Sequence, residues 1–174
     1  LCRLLENYSV PYVIQTRPDR IDEDTAQALA QSGCWKVEFG VESGVEAMLE
    51  DMNKGAEWED VERAVKLCRK AGIPRVLGFA GLFAPGETAE TIGETRRRFH
   101  ELGLSFHVNV WFPYPGTAIY KHWLEETGAA GPPGDWGELL RAAGTIGTGF
   151  ARTDVCRMCE RIEKEERRRD RLSR

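Results

Sequence analysis

Apolar positions along this chain fall into two alternating rhythms between residue 10 and about residue 127. Val10–Thr16 is a short β-rich run, and Asp22 opens a helix that places Ala26, Leu29 and Ala30 on one face before Gly33 stops it. Lys36–Val41 reads as a second strand, followed by a short helix over Val45–Met52 and a longer one over Glu57–Ala71. In the longer helix Val61, Ala64, Val65 and Cys68 form the apolar face, Glu62 can pair with Lys66, and Gly72 is the stop. A third strand spans Arg75–Phe83, and Thr88 is placed to cap a helix carrying Ile92, Phe99 and Leu102, which Gly103 ends. The fourth strand, Ser105–Phe112, alternates cleanly: Phe106, Val108, Val110 and Phe112 on one side, His107, Asn109 and Trp111 on the other. Tyr114-Pro115-Gly116 then turns the chain into a helix over Thr117–Glu126.

Four strand–helix alternations with short loops predict an α/β fold with a parallel sheet and right-handed crossovers. The sheet is either open and doubly wound or part of a β/α (TIM-like) barrel. The chain contains no Gly-x-Gly-x-x-Gly and no Walker-type loop, which removes support for the usual nucleotide folds. Beyond Thr127 the character changes: Gly128–Asp135 is a Gly/Pro/Ala linker, Trp136–Phe150 is mixed and glycine-rich, and Thr153–Arg174 is a strongly charged helix. The expected division is therefore 1–127 for the α/β core and 128–174 for a linker and mainly helical extension. The chain opens Leu1-Cys2-Arg3-Leu4-Leu5, without methionine and inside what reads as the back half of a helix. Residue 1 is accordingly not expected to be the start of the protein.

Composition changes this picture little, with 41% apolar and 30% charged residues. A net charge of −4 gives no electrostatic case for nucleic acid as a partner, and no apolar run is long enough to span a membrane. No signal peptide is visible at the start. Five cysteines at irregular spacings argue against a disulfide framework and for a reducing cytoplasm. Cys34 and Cys68 sit among apolar neighbours and read as small buried residues. Cys156-Arg157-Met158-Cys159 is a lone Cys-x-x-Cys with no further ligand in sequence reach, so no metal ligand is assigned in this chain. The charged C-terminal helix reads as a solvated, fraying segment or, alternatively, a partner-binding one.

Chemistry concentrates where strands hand over to helices. Gly40-Val41-Glu42-Ser43-Gly44 ends the second strand, and Lys54, within Met52-Asn53-Lys54-Gly55, follows Glu42 by twelve residues. Pro85-Gly86-Glu87-Thr88 and Pro113-Tyr114-Pro115-Gly116-Thr117 mark the ends of the third and fourth strands. In α/β folds that edge is where ligands bind. Together with Gln15-Thr16-Arg17-Pro18-Asp19, Ala30-Gln31-Ser32-Gly33-Cys34 and Ala71-Gly72-Ile73, these make seven signatures in order. On them, residues 10–126 resemble the later two-thirds of the catalytic core of radical S-adenosylmethionine (SAM) enzymes, closest to the group that carries an upstream cobalamin-binding domain.

The resemblance implies a six-stranded partial β/α barrel of which this chain holds the third to sixth strands, truncated at the N-terminus. In the family a Cys-x3-Cys-x2-Cys loop holds a 4Fe-4S cluster that also chelates SAM, and reductive cleavage of SAM yields a 5′-deoxyadenosyl radical. Implied cofactors are SAM, the 4Fe-4S cluster in the complete protein, and cobalamin through an upstream domain. Implied partners are a small-molecule substrate, an electron donor such as flavodoxin or ferredoxin, and an upstream or partner segment that completes the barrel. This chain departs from the family in two places: it has no Cys-x3-Cys-x2-Cys, and it has Phe83-Ala84 where the family shows glycine two residues before the proline of PGET. The alternative to an enzyme part is a degenerate, non-catalytic SAM-binding or scaffold module lacking the cluster.

By the same resemblance Glu42 and Ser43 reach the ribose or amino-acid portion of SAM; the plainer reading makes them a helix-entry charge and an N-cap. Lys54 is either a clamp for the SAM carboxylate or a solvated turn lysine. Gln15 and Arg17 end the first strand; Gln15 suits a ribose hydroxyl and Arg17 a carboxylate or phosphate, with Asp19 and Asp22 as competing partners of Arg17. Pro85, Gly86 and Glu87 shape the loop over the adenine through backbone groups, the alternative for Glu87 being only to favour the next helix N-terminus. Asn109, Trp111 and Tyr114 are candidates for the substrate pocket, with packing as the rival role for Trp111. His107 reads as structural.

Overall fold

The computed structural model describes residues 2–8, 10–129 and 136–172. A short helix α1 (Cys2–Leu5) precedes β1 (Tyr12–Thr16), a 3-10 turn at Pro18–Arg20 and α2 (Glu23–Gln31). Then follow β2 (Cys34–Glu42), α3 (Glu46–Asp51), α4 (Trp58–Lys70), β3 (Arg75–Leu82), α5 (Ala89–Glu101) and β4 (Ser105–Val110). Helices α6 (Ala118–Thr127), α7 (Trp136–Ala142) and α8 (Arg152–Leu172) complete the chain. The strands form one parallel sheet in the order β1-β2-β3-β4, the order of the chain itself. A doubly wound sheet reverses its order at a switch point, whereas a β/α barrel adds each strand beside the last. The observed order is that of a barrel portion.

Local chemistry explains most boundaries. Asp22 caps α2 by accepting the Thr25 N–H, and Glu57 and Asp60 form a reciprocal capping box at the start of α4. Thr88 accepts the Thr91 N–H ahead of α5, and Thr117 accepts the Tyr120 N–H at the head of α6. Gly33, Gly72 and Gly103 end their helices at positive φ, as the sequence predicts.

The chain divides into two compact units. The first comprises Leu1–Ala80 and Glu94–His107. Its core joins Val37, Phe39 and Val41 of β2, Val61, Ala64, Val65 and Cys68 of α4, and Phe99 of α5, all buried. Phe99 meets Trp58 edge-on at 5.7 Å and lies 4.7 Å from Phe106. Two glycines make this packing possible. A Cβ on Gly78 would collide with the Phe99 ring, and one on Gly44 would stand 2.9 Å from the Thr95 Cα. Both are close-approach sites that a larger residue would push apart.

The second unit comprises Gly81–Gly93 and Val108–Arg174. Its core is Ile119, Tyr120 and Trp123 of α6 with Leu139 of α7 and Ile146, flanked by Trp111 and Phe112. The glycine-rich run after α7 forms a turn, with Gly144 lodged where a Cβ would meet Val110, Phe83 and Val155. The C-terminal helix departs from the solvated segment expected from its charge. Val155, Ile162 and Glu166 are buried and Cys159 is half-buried, one stripe flanked by the half-buried Met158, Glu163, Glu165 and Asp170. Burial pushes the Cys159 thiol up to about 11, the behaviour of a packed rather than a reactive cysteine. Residues 130–135 of the expected linker, and the last residues of the expected C-terminal helix, lie outside the described residues.

Candidate functional site

In the first unit the polar chemistry gathers on the β1–β2 side of the sheet. Strand alternation puts Lys36, Glu38 and Gly40 of β2 on one face and Val37, Phe39 and Val41 on the other. At the strand's end the ladder slips between Gly40 and Glu42, a β-bulge. Glu42 adopts φ +71, and the Ser43 N–H bonds back to the Val41 carbonyl at 3.0 Å, closing a tight three-residue turn. A positive φ on a glutamate is uncommon and costs on the order of 1 kcal/mol. What it achieves is geometric: the Glu42 carboxylate folds back over Gly40, 3.5 Å from where a Cβ would stand.

Lys54 meets it there, its Nζ 2.6 Å from Glu42 Oε1. The lysine is delivered by the turn after α3, where Asn53 takes φ +49 and the Lys54 N–H bonds the Leu49 carbonyl. Both side chains remain about a quarter to a fifth exposed, at 26% and 20%. Arg17 ties the end of β1 into the same cluster. It grips Asp19 through two N–H bonds of 2.8 and 3.0 Å and donates a third, 3.1 Å, to the Gly55 carbonyl. The Arg17 hydrogen bond holds the Asp19 carboxyl below the usual carboxylate range.

One layer down, Gln15 stands opposite Glu38 in the β1–β2 register and donates to it at 2.8 Å, while Lys36 Nζ lies 2.6 Å from its other oxygen. Burial works to raise the Glu38 carboxyl, but the Lys36 and Gln15 hydrogen bonds prevail and hold it below the ordinary range. Gln15, expected to address a ribose, thus spends its amide N–H on Glu38. Glu38 and Lys36 went unremarked in the sequence. The available signal was charge at every second position of a strand whose other positions are apolar. Nearby, His107 tilts against Phe79 at 5.7 Å, a packing role.

Ser43 is fully buried. Its hydroxyl lies 3.2 Å from Thr95 Oγ1 and accepts the Val45 N–H at 3.1 Å, while Thr95 accepts the Gly44 N–H at 3.0 Å. This network braces the turn on which Glu42 sits and leaves Ser43 no exposed surface.

In the second unit the PGET loop follows β3. Phe83 takes φ +63 and Gly86 φ +82. Phe83 occupies the position where the family pattern has glycine, and its left-handed backbone explains that preference: the path is kept without the glycine. Two features support the strained residue. Its ring is buried, edge-on to Phe150 at 5.4 Å, and the Glu87 carboxylate accepts the N–H groups of both Phe83 and Ala84. Glu87 is itself fully buried, and its Oε1 has no hydrogen-bond partner. Desolvation pushes its carboxyl up to about 7 against the pull of the two backbone bonds. Gly86 is exposed and donates its N–H to the Gly147 carbonyl at 2.8 Å, and Pro85 is half-exposed beside it. Asn109 is exposed on β4, and Tyr114 is exposed with its ring 4.6 Å from Phe112. Trp111 is half-buried, its indole N–H committed to the Gly81 carbonyl at 3.1 Å.

Residues 1–99 match the model of the radical SAM superfamily. This chain belongs to that family. Over 118 residues it is 29% identical to the uncharacterized methyltransferase PH0819 of Pyrococcus horikoshii, covering 67% of this chain and 26% of the relative. It is 32% identical over 117 residues to tryptophan 2-C-methyltransferase of Streptomyces laurentii, covering 60% of this chain and 19% of that one. The radical SAM methyltransferase TsrM of Kitasatospora setae, solved with cobalamin and a 4Fe-4S cluster bound, superposes with a TM-score of 0.61 at 26% identity. That match covers 76% of this chain and 27% of TsrM. The chain spans about a quarter of the length of the relatives it matches, at 26% for the first of them. The family uses SAM and a 4Fe-4S cluster, and the partial β/α barrel expected from the sequence is the fold these relatives share.

The residues present can be tested against those groups. No Cys-x3-Cys-x2-Cys occurs in the 174 residues, and no cluster of three His, Cys, Asp or Glu suited to a metal exists among the described residues. The chain's own side chains therefore do not fit the iron–sulfur cluster. They do fit SAM, a zwitterion with vicinal ribose hydroxyls. An accessible carboxylate and ammonium stand together at a strand's C-terminal end over a glycine. No described helix is long and apolar enough to cross a membrane.

Proposed function

We propose that this chain forms the SAM-holding segment of a radical SAM enzyme, with Glu42 and Lys54 as the direct contacts. The supporting observation is the Glu42–Lys54 pair, held at the strand edge by a left-handed glutamate. Glu42 accepts hydrogen bonds from the ribose hydroxyls or the ligand ammonium, and Lys54 exchanges its internal partner for the ligand carboxylate. Arg17 and Ser43 act one step back. Arg17 fixes the loop bearing Lys54 through the Gly55 carbonyl, and Ser43 fixes the turn bearing Glu42. Within the second unit Pro85 and Gly86 keep a proposed part in adenine contact and Asn109 and Tyr114 in substrate contact, with Trp111 held by its bond to the Gly81 carbonyl.

In the complete protein a 4Fe-4S cluster held by residues outside this chain would supply the electron chemistry, and the relatives point to methyl transfer as the reaction class. TsrM has been solved with tryptophan as substrate and with an aza analogue of SAM, which makes a cobalamin-dependent methylation of a small molecule the leading reading for the whole protein. That reading requires cluster ligands, a cobalamin site and an electron donor from outside these residues. It also predicts that the 174-residue chain takes up no 4Fe-4S cluster when reconstituted with iron and sulfide.

Calorimetric titration with S-adenosylhomocysteine, an inert SAM analogue, tests the assignment. Glu42→Gln and Lys54→Gln are each expected to weaken binding by about tenfold, the loss of one charged hydrogen bond. The exchange variant E42K/K54E restores an ion pair and the fold but places each charge against the wrong ligand group, so it is expected not to bind. Unchanged affinity in all three would make the pair structural. Tight binding of SAM by a full-length protein that never cleaves it would instead favour the non-catalytic module.

A further inference from the structure

The outer face of α8 has no role in this reading, yet its charges are sorted in a way chance pairing does not require. A helix turns 100° per residue, so side chains spaced alternately four and three apart share one stripe. Val155, Cys159, Ile162 and Glu166 follow that spacing and form the buried or half-buried side. Arg157, Arg161, Lys164, Arg168 and Arg171 follow it too, displaced by half a turn, and define the stripe facing directly away. All five are exposed, and among the described residues none is paired with a carboxylate. The ion pair Arg167–Glu163 lies on the flank. At 1.5 Å per residue the stripe runs about 21 Å. Over its C-terminal half Lys164, Arg167, Arg168 and Arg171 share one surface of the helix, with Glu160 and Glu163 bordering it.

A merely solvated helix gains by interleaving opposite charges at i and i+4 and loses by stacking like ones. Here cations repeat at three and four residues down the centre line, and the acids stand to the sides. The overall charge of −4 conceals this, because α8 by itself carries eight Lys and Arg against six Asp and Glu. We infer that the outer stripe of α8 docks onto the phosphodiester backbone of a nucleic acid. Four of the five cations are arginine, whose planar fork matches phosphate oxygens in a way lysine does not. An even, unpaired row of charge also complements a polymer of evenly spaced phosphates better than a protein surface, where carboxylates come in patches mixed with lysine and arginine. No aromatic side chain lies on the stripe, so it offers backbone contact without base stacking, and binding is independent of sequence.

Fluorescence anisotropy of the whole chain with a labelled 20-base-pair DNA duplex tests this, with salt varied. Wild type binds at low salt and weakens linearly on a logarithmic plot. Neutralising three stripe cations in R161Q/K164Q/R168Q weakens binding by at least about tenfold and lowers the salt slope by roughly 2 to 3, since each phosphate contact contributes about 0.9. The charge-matched control R63Q/K66Q/K70Q removes three α4 cations already paired with Asp60, Glu62 and Glu23, and keeps the duplex within about twofold of wild type. R161K/R168K, which keeps the charge, retains most of the binding. Circular dichroism confirms that the helix persists in each. The inference is overturned if wild type shows no salt-dependent binding or if both triple variants lose equally. It is also overturned if polyglutamate displaces the duplex at equal charge, which would assign the face to an acidic polypeptide.

Discussion

Glu42 and Glu87 begin from the same sequence device, a glutamate at or just past the end of a strand and ahead of a helix, and end in opposite roles. Each belongs to a turn with a non-glycine residue in the left-handed region: Glu42 itself at φ +71, and Phe83 at φ +63. At the β2 end the carboxylate is accessible, and its partner is a lysine from another turn. At the β3 end the carboxylate is fully buried, and its partners are two backbone N–H groups of its own loop. A partner that can leave makes a carboxylate available to a ligand. A partner that is main chain makes it part of the scaffold. Strain at the first turn aims a side chain, whereas strain at the second is absorbed by a buried ring and a buried acid.

The largest expected effect separates the two through pH. Glu87 is raised to about 7 from an unperturbed 4.5, so the native state holds its proton more tightly than the unfolded chain. That contribution is complete below about pH 4.5 and disappears as pH rises through about 7, a total of about 3 kcal/mol at 1.36 kcal/mol per unit. Urea titrations at pH 4.5 and 8 should show Glu87→Gln gaining roughly that much relative to wild type at the higher pH. A pH-independent difference would mean that water reaches the carboxylate and the buried-scaffold role is wrong.

Next in size is Ser43→Ala, which leaves the Val45 N–H without its acceptor under the Glu42 turn and should cost about 1–3 kcal/mol. Its diagnostic is weaker S-adenosylhomocysteine binding without loss of any exposed group; full affinity would show that Glu42 needs no brace. Thr88→Ala removes the N-cap beyond the PGET loop and should cost about 1 kcal/mol in chemical denaturation. Unlike Ser43→Ala, it should leave Glu42-dependent binding at the wild-type level. Smallest of all is Lys54→Gln measured as stability. A partly exposed ion pair contributes about 0–1 kcal/mol, so a variant that loses the ligand should keep its denaturation midpoint nearly unchanged. A large destabilisation there would erase the contrast with Glu87 and make both carboxylates structural.

Much of the fold was legible because the devices that set it are local. Asp22, Thr88 and Thr117 cap the helices they precede, and Gly33, Gly72 and Gly103 close others, by hydrogen bonds and backbone angles confined to a few residues. The candidate site was legible in part. Glu42 stands out in a strand-end signature and Lys54 in the Met52-Asn53-Lys54-Gly55 signature twelve residues on, and the structure brings them together at 2.6 Å. The Gln15–Glu38 hydrogen bond was not legible, because Glu38 lies 23 residues away in sequence and becomes its neighbour only through strand register. Ser43 shows the same limit, since Thr95, 52 residues on, is what occupies its hydroxyl. The C-terminal helix looked wholly solvated because charge dominates its composition; only the packed state shows that Val155, Ile162 and Glu166 share one buried side.

By itself, then, the chain's sequence determined the order of strands and helices, their caps, and membership of a family whose signatures sit at strand ends. These depend on neighbours within a turn or two, where periodicity and side-chain type are sufficient. Tertiary structure alone decided which of two similar glutamates faces outward to a cation and which is buried against the backbone. Burial and partnership are set by residues far apart in sequence, and a carboxylate's chemistry follows from them rather than from its place in a motif.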